Sequence, residues 1–361
     1  MEIQKAGDNS QLLHVGELTI VQGIDEKRAR EIYDEKFEIA KKNFTEEAFN
    51  IANERVKELE SKLIPKMNAM DDGLKAFADP SFQLLLVEAQ KTAAATERVE
   101  DYELLSELLI HRIKKGNDRN VRTGIHRAIE IVEDISNEAL LGLTIVHAVN
   151  TFMPLNSNLI SVLEVLNNLY ERLIYAELPT GDEWIENLET LGAIRVNQFG
   201  KFKPIEEYYM QMLDGIAVIG IKKDSENYYT AKIILQKHFW PFMDLFTENE
   251  LLPGYVRINV ACLKDVDNLT FYVSDGKGTF GVPLSDQQRG AFREVMNLYS
   301  KDRILNNQIR DAFIDKWKSY PNLNALKVWF EKISLSFKPT SVGKILAHAN
   351  AQRCDKTLPS L

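Results

Sequence analysis

The segment GKGTFG, Gly276 to Gly281, satisfies the G-x-G-x-x-G spacing whose backbone can cradle a phosphate chain. A dinucleotide loop also needs a following helix and a later acidic ribose ligand, and a kinase loop needs a strand lysine, an H-R-D-type loop and a D-F-G. Here Val282-Pro283 follows and the kinase partners are missing, so the segment reads as a flexible turn. His14, His111, His126, His147, His238 and His348 show no H-E-x-x-H or H-x-H spacing, and the expectation is no metal. Cys262 and Cys354 are too few for a disulfide framework or a thiolate site, and Cys262, alternating with apolar neighbours in INVACLKD, reads as a core thiol. Neither a G-x-S-x-G elbow nor a Walker lysine is present. No cofactor is expected and no enzymatic activity is supported.

Two groups of cations carry the remaining chemistry. In HRIKKGNDRNVRTGIHR, the residues Arg112, Lys114, Lys115, Arg119, Arg122 and Arg127 surround one acid, Asp118. Such a cluster can neutralise nucleic-acid phosphates or meet an acidic partner surface. The alternative is a solvated helix edge with cations placed favourably at a helix C-terminus. No aromatic residue is interleaved, which argues against stacking on single-stranded bases. A second group, Arg195, Lys201 and Lys203, falls on an expected hairpin.

The background of these clusters is acidic. A net charge of −9 over 361 residues excludes a chain whose main business is coating nucleic acid. An apolar share of 45% with 27% charged residues is that of a globular protein with a sizeable core. Glu2 and the polar run after it offer no signal peptide, and no stretch reaches the ~18 apolar residues of a membrane span. With two cysteines only, a cytoplasmic location without stable membrane insertion is expected.

The elements that must position the cations are mostly helices, and the expected class is mainly α (α+β). Residues 1–23 alternate as two short strands about Gly16-Glu17, a β arch that needs a pairing partner because an isolated hairpin is marginal. Residues 24–73 form a long charged helix, with Tyr33, Phe37, Ala40, Phe44, Ala48, Ile51, Ala52, Leu59 and Leu63 in one stripe, a kink at Thr45 and an end marked by Pro65 and Asp71-Asp72-Gly73. That stripe packs on its own domain or forms a seam between subunits. Residues 74–178 read as a helical array. Residues 179–361 read as a winged-helix-like α/β part: a helix from Glu183 to Leu191, a hairpin of Ala193 to Val196 with Lys201 to Lys203, strands at 255–263 and 269–274, and further helices. Thr340 or Ser341 caps the last one.

The order GDNS, strand, polar turn, LTIVQGI and charged helix, over Gly7 to Ile32, resembles the opening of an uncharacterised group of bacterial conflict-system proteins. The body, in DYELLSELLIHRI, IVEDISNEALLGL, LETLGAIRV and KPTSVGKILAHA, resembles the abortive-infection alpha group of helical anti-phage proteins. Thr340 to Gly343 supplies that group's threonine-x-x-glycine helix start, and 203–334 has no counterpart in it. The resemblance implies anti-phage defence by a self-assembling interaction or sensor protein, with a phage protein or nucleic acid as partner. Homo-oligomerisation is assigned to Leu12, His14, Leu18, Ile20, Tyr33, Phe37 and Phe44. Two alternatives stand beside it: a winged-helix nucleic-acid-binding regulator, and a nuclease or hydrolase whose acids converge only in the fold.

Overall fold

The computed structural model describes residues 24–40, 45–115, 118–154, 156–239, 245–263, 266, 269–274 and 279–360. The arch, with Leu12, His14, Leu18 and Ile20, lies outside the described residues, as does Phe44. The chain is mainly α with a small β component, as the periodicity implied. It divides into two compact units, each assembled from separated stretches. Unit 1 is Met1–Ala148, Ala176–Val196 and Phe337–Leu361; unit 2 is Val149–Tyr175 and Asn197–Ser336. Four consecutive segments therefore do not describe the organisation, because the chain leaves unit 1 and returns to it twice.

Unit 1 begins with α1 (Glu26–Ala40) and α2 (Glu46–Asn68). Thr45 caps α2, accepting from the Ala48 N–H, and Pro65 sits inside the last turn of α2 instead of ending it. α3 (Pro80–Ala95) starts on an Asp79 cap with proline at its first position, where the missing N–H costs nothing. α4 (Val99–Lys115), α5 (Arg119–Glu130) and α6 (Asn137–Thr151) complete the array. α2 packs on α3 and α4, and α4 on α5. Leu59, Leu63, Leu86, Leu105, Leu109 and Ile129 are wholly buried between them, each contributing about 1.5–3 kcal/mol by leaving water.

Tyr33 and Phe37 belong to this same core, at 1% and 3% exposure. The Tyr33 hydroxyl donates to Val56 O at 2.8 Å, and Gln90 Nε2 donates to Tyr33 O at 2.9 Å. Tyr33, Phe37, Ala52, Leu59 and Leu63 of the stripe are thus packed inside their own unit, whereas Ala48 and Ile51 are exposed. Lys66 of α2 pairs with Glu103 and Glu107 of α4, each at 2.8 Å.

The later pieces of unit 1 are α8 (Glu183–Thr190), β1 (Ile194–Asn197), β7 (Ser336–Pro339) and α14 (Ser341–Cys354), with α7 and the intervening elements in unit 2. β1 pairs with β7, about 140 positions later in the chain. The expected hairpin does not form, since Lys201 and Lys203 lie outside any strand. Thr340 caps α14 by accepting from Gly343 N–H at 3.2 Å, and its own N–H donates to Ala193 O at 2.9 Å. A Cβ on Gly343 would lie 2.0 Å from that same carbonyl oxygen, so this turn of α14 reaches the end of β1 only because position 343 has no side chain.

In unit 2, α7 (Leu159–Leu173) packs on α13 (Pro321–Lys332), and α9 (Ile205–Met212) packs on α12 (Arg303–Lys318) and α13. Trp317 is fully buried there, 5.0 Å from the Tyr209 ring. A three-stranded antiparallel sheet, ordered β2 (Ile221–Lys222), β4 (Tyr255–Ile258), β3 (Phe246–Glu248), aligns Ile221 with Val256 and Phe246 with Ile258. α10 (Glu226–Phe239) and α11 (Asp286–Asn297) close one core with it, Phe239 and Phe292 meeting at 4.7 Å. Ser285 and Gln288 cap α11 reciprocally. β5 (Thr270–Ser274) pairs antiparallel with β6 (Thr279–Pro283), so a strand and not a helix contains the end of GKGTFG; its residues 276–278 lie outside the described residues. Among the described residues no helix is long and apolar enough to cross a membrane.

Candidate functional site

The main basic stretch forms one wall of a cleft in unit 1. Asp118 caps α5, its Oδ1 accepting from Asn120 N–H at 2.7 Å, and so sets where the helix begins. Ile125, Ala128 and Ile129 turn inward. Arg119, Arg122 and His126 then fall on the other side at spacings of three and four. α14 packs against α5, and a Cβ on Gly124 would stand 2.5 Å from Ile345 Cδ1, so the glycine lets the two helices approach. Between them opens a cleft of about 880 Å³ lined by Arg112, Arg119, Arg122, His126, Arg127 and, at the start of α14, Ser341 and Val342.

The cations are not equivalent. Arg112 is buried, and its Nη2 donates to Asp79 Oδ2 at 3.0 Å and Ser81 Oγ at 2.7 Å. Its charge is therefore committed to the cap of α3. Burial works against the Asp79 carboxylate, but the Ser81 hydrogen bonds and the Arg112 guanidinium outweigh it and hold Asp79 below the usual carboxylate range. Arg127 pairs with Glu130 at 2.8 Å, and His126 Nδ1 lies 3.3 Å from the other oxygen of that acid. Arg119 and Arg122 have no ion-pair partner among the described residues, which makes them the uncompensated charge of the cleft.

Other sequence-predicted cations are elsewhere. Lys114 and Lys115 are exposed at the end of α4, and Lys115 lines a separate cavity of about 260 Å³ with His111, Asp118, Val121, Ile125 and Ile345. Arg195 is exposed on β1 in unit 1, whereas Lys201 and Lys203 belong to unit 2, where Lys203 Nζ donates to Gln211 Oε1 at 3.2 Å. No wing unites these three.

Three histidines that looked unrelated in the sequence meet in unit 1. His147 Nε2 lies 3.2 Å from His348 Nδ1, His348 Nε2 lies 2.8 Å from Pro359 O, and His111 Nε2 lies 2.6 Å from Gln352 Oε1. Since only N–H can serve the Pro359 carbonyl, His348 donates there and accepts from His147, a neutral relay that fastens the residues after α14. Burial pushes His147 down to about 4, helped by the neighbouring His348 and Lys344, and lowers His111 and His348 as well. No group of three His, Cys, Asp or Glu side chains among the described residues is placed to hold a metal ion. Cys262 is half-buried and not in the core, and burial raises the Cys354 thiol, the opposite of an activated nucleophile.

A protein-family model that names no activity matches residues 23–358, and the chain belongs to that family. No curated protein and no solved structure matches the chain.

Proposed function

We propose that the chain is a bacterial anti-phage protein that acts by binding, and that the cleft between α5 and α14 takes a phosphate-bearing polyanion. The observation that carries the binding part is the pair Arg119 and Arg122, uncompensated among the described residues, on the wall of a cavity of about 880 Å³. Guanidinium groups match phosphate oxygens in a two-pronged geometry, and the concave site screens them less than open surface would. The defence part rests on the resemblance to the abortive-infection alpha group. Its unmatched stretch, 203–334, nearly coincides with the 197–336 segment of unit 2, so the likeness follows the body of unit 1. Self-assembly in the bacterial cytoplasm through the arch at 1–23 is part of the same proposal.

Phage plating tests it, comparing cells that carry the full chain, a version lacking Met1 to Gln22, and an Arg119→Ala/Arg122→Ala double variant. Protection is expected from the full chain and loss of protection from both variants. Undiminished protection by the double variant would remove the cleft from the function. Absence of protection by the full chain against a broad phage panel would remove the defence reading.

A further inference from the structure

The cleft has a form that narrows the class of its ligand, on the reading that it binds phosphate at all. Its volume of about 880 Å³ falls within the range of roughly 300–1,000 Å³ typical of small-molecule sites. Its charged wall is a single helix. Arg119 and Arg122, its two cations without an ion pair among the described residues, stand about 4.5 Å apart along α5 at 1.5 Å per residue, a spacing that suits two linked phosphates better than one phosphate ion.

The opposite edge is the start of α14, a helix of 14 residues. Thr340 Oγ1 takes the Gly343 N–H. Ser341 and Val342 line the cleft, and their N–H groups have no hydrogen-bond partner among the described residues. Amide groups at a helix start carry partial positive charge and are preorganised for phosphate oxygens. Two independent sources of positive potential, side-chain and main-chain, therefore converge on one cavity.

Several features disfavour a nucleic acid. No Phe, Tyr or Trp side chain lines the cleft, so unpaired bases would have only the His126 ring and arginine planes to stack on. Glu130 is in the wall and Asp79 is bonded to Arg112, so a long polyanion laid across this face would pass acids as well as cations. The whole chain carries a charge of −9, which repels an extended polyanion along its whole length but a small ligand only over its few phosphates.

We infer that the cleft between α5 and α14 binds a soluble small molecule through a diphosphate or triphosphate group, held by Arg119, Arg122 and the free amides of Ser341 and Val342. The phosphate chain lies along α5 and ends on the start of α14. Buried Leu85 and half-buried Val342 bound the rest of the cavity.

The test is isothermal titration of the full chain with ATP, with inorganic tripolyphosphate and with a short DNA duplex, in one buffer near physiological salt. ATP and tripolyphosphate are expected to bind with one ligand per chain, and the ratio of their affinities reports whether a nucleoside adds contacts. Arg119→Ala/Arg122→Ala is expected to weaken binding about 100-fold, roughly tenfold for each charged hydrogen-bonding group lost. Ser341→Asp puts a carboxylate at the first position of α14, which favours the helix while repelling an anion. It is expected to weaken binding at least tenfold with the far-ultraviolet circular dichroism unchanged.

Saturable binding that neither variant weakens would place the ligand elsewhere and overturn the inference. Duplex binding that is lost in the double variant, with no binding of ATP or tripolyphosphate, would overturn the inference and leave the polyanion reading standing. No binding by any of the three would end both.

Discussion

Replacing Gly343 with alanine sets two physical rules against each other. In a helix alanine is better than glycine by up to about 1 kcal/mol, so propensity alone asks for stabilisation. The added Cβ, however, would stand 2.0 Å from Ala193 O and 3.0 Å from Ala193 C, where real methyl contacts do not fall below about 3 Å. Those are backbone atoms at the entry to β1 and cannot rotate aside. The start of α14 must therefore retreat by about 1 Å. That retreat breaks the Thr340 N–H bond to Ala193 O at 2.9 Å and the Thr340 Oγ1 bonds to Gly192 O and Ala193 O at 2.9 and 3.0 Å. Net hydrogen bonds of about 1 kcal/mol each and an overpacking strain of about 1–3 kcal/mol outweigh the propensity gain, leaving a destabilisation of roughly 3 kcal/mol. Urea unfolding followed by circular dichroism measures it, with amide exchange locating the loss in α14. Gly290, in α11, is the internal control: a Cβ there meets nothing within 4 Å, so Gly290→Ala should stabilise by up to about 1 kcal/mol. A Gly343→Ala midpoint equal to or above that of the unmodified chain would refute the close-approach argument.

Three further outcomes are expected. His147 stays neutral in the fold down to about pH 4 while its unfolded counterpart takes up a proton near 6.5, so acidification through that window favours unfolding, by about 2 kcal/mol between pH 7 and pH 5. His147→Gln should remove that part of the slope in urea unfolding at the two pH values, and an unchanged slope would assign it to other groups. Arg112→Ala should destabilise by about 1–3 kcal/mol, because Asp79 and Ser81 lose a charged donor, whereas Arg122→Ala should stay within about 0.5 kcal/mol; equal effects in unfolding assays would contradict the division of roles within the cluster. Tyr33→Phe should cost about 1 kcal/mol through the lost bond to Val56 O and leave the molar mass by light scattering unchanged, whereas a lower mass would return Tyr33 to an interface between copies.

Signals that act within a few residues were legible. Thr340 caps the helix it was expected to cap, and Asp118 caps the helix that carries Arg119, Arg122 and Arg127, because capping involves only the next three residues. The threonine-x-x-glycine start is physical: the hydroxyl holds the amide three residues on, and the glycine admits a foreign carbonyl. Partnerships over long separations were not legible. Arg112 reads as one more surface cation beside Lys114 and Lys115 until the fold brings it back to Asp79, 33 residues earlier. His111, His147 and His348 sit on three helices, and no spacing announces their meeting.

The missing wing shows why local chemistry can mislead. Asn197 to Gly200 has the composition of a tight turn, and Asn197 Oδ1 does accept from the Phe199 N–H at 3.3 Å, so a hairpin returning through Lys201 to Lys203 was the natural expectation. What decides the pairing is which strand can bury its inner face. Phe337 of β7 is buried edge-on to Trp184 at 5.6 Å, whereas Lys201 and Lys203 are exposed and bracket a single Phe202. β7 therefore supplies the apolar cover that the nearer segment lacks. Its pairing with β1 brings the chain back to unit 1 after 197–336, and α14 follows it directly to complete the cleft. The cleft thus depends on a strand pair that joins residues about 140 positions apart in the sequence, which is why the cations of α5 could be found in the sequence while the other wall of their cleft could not.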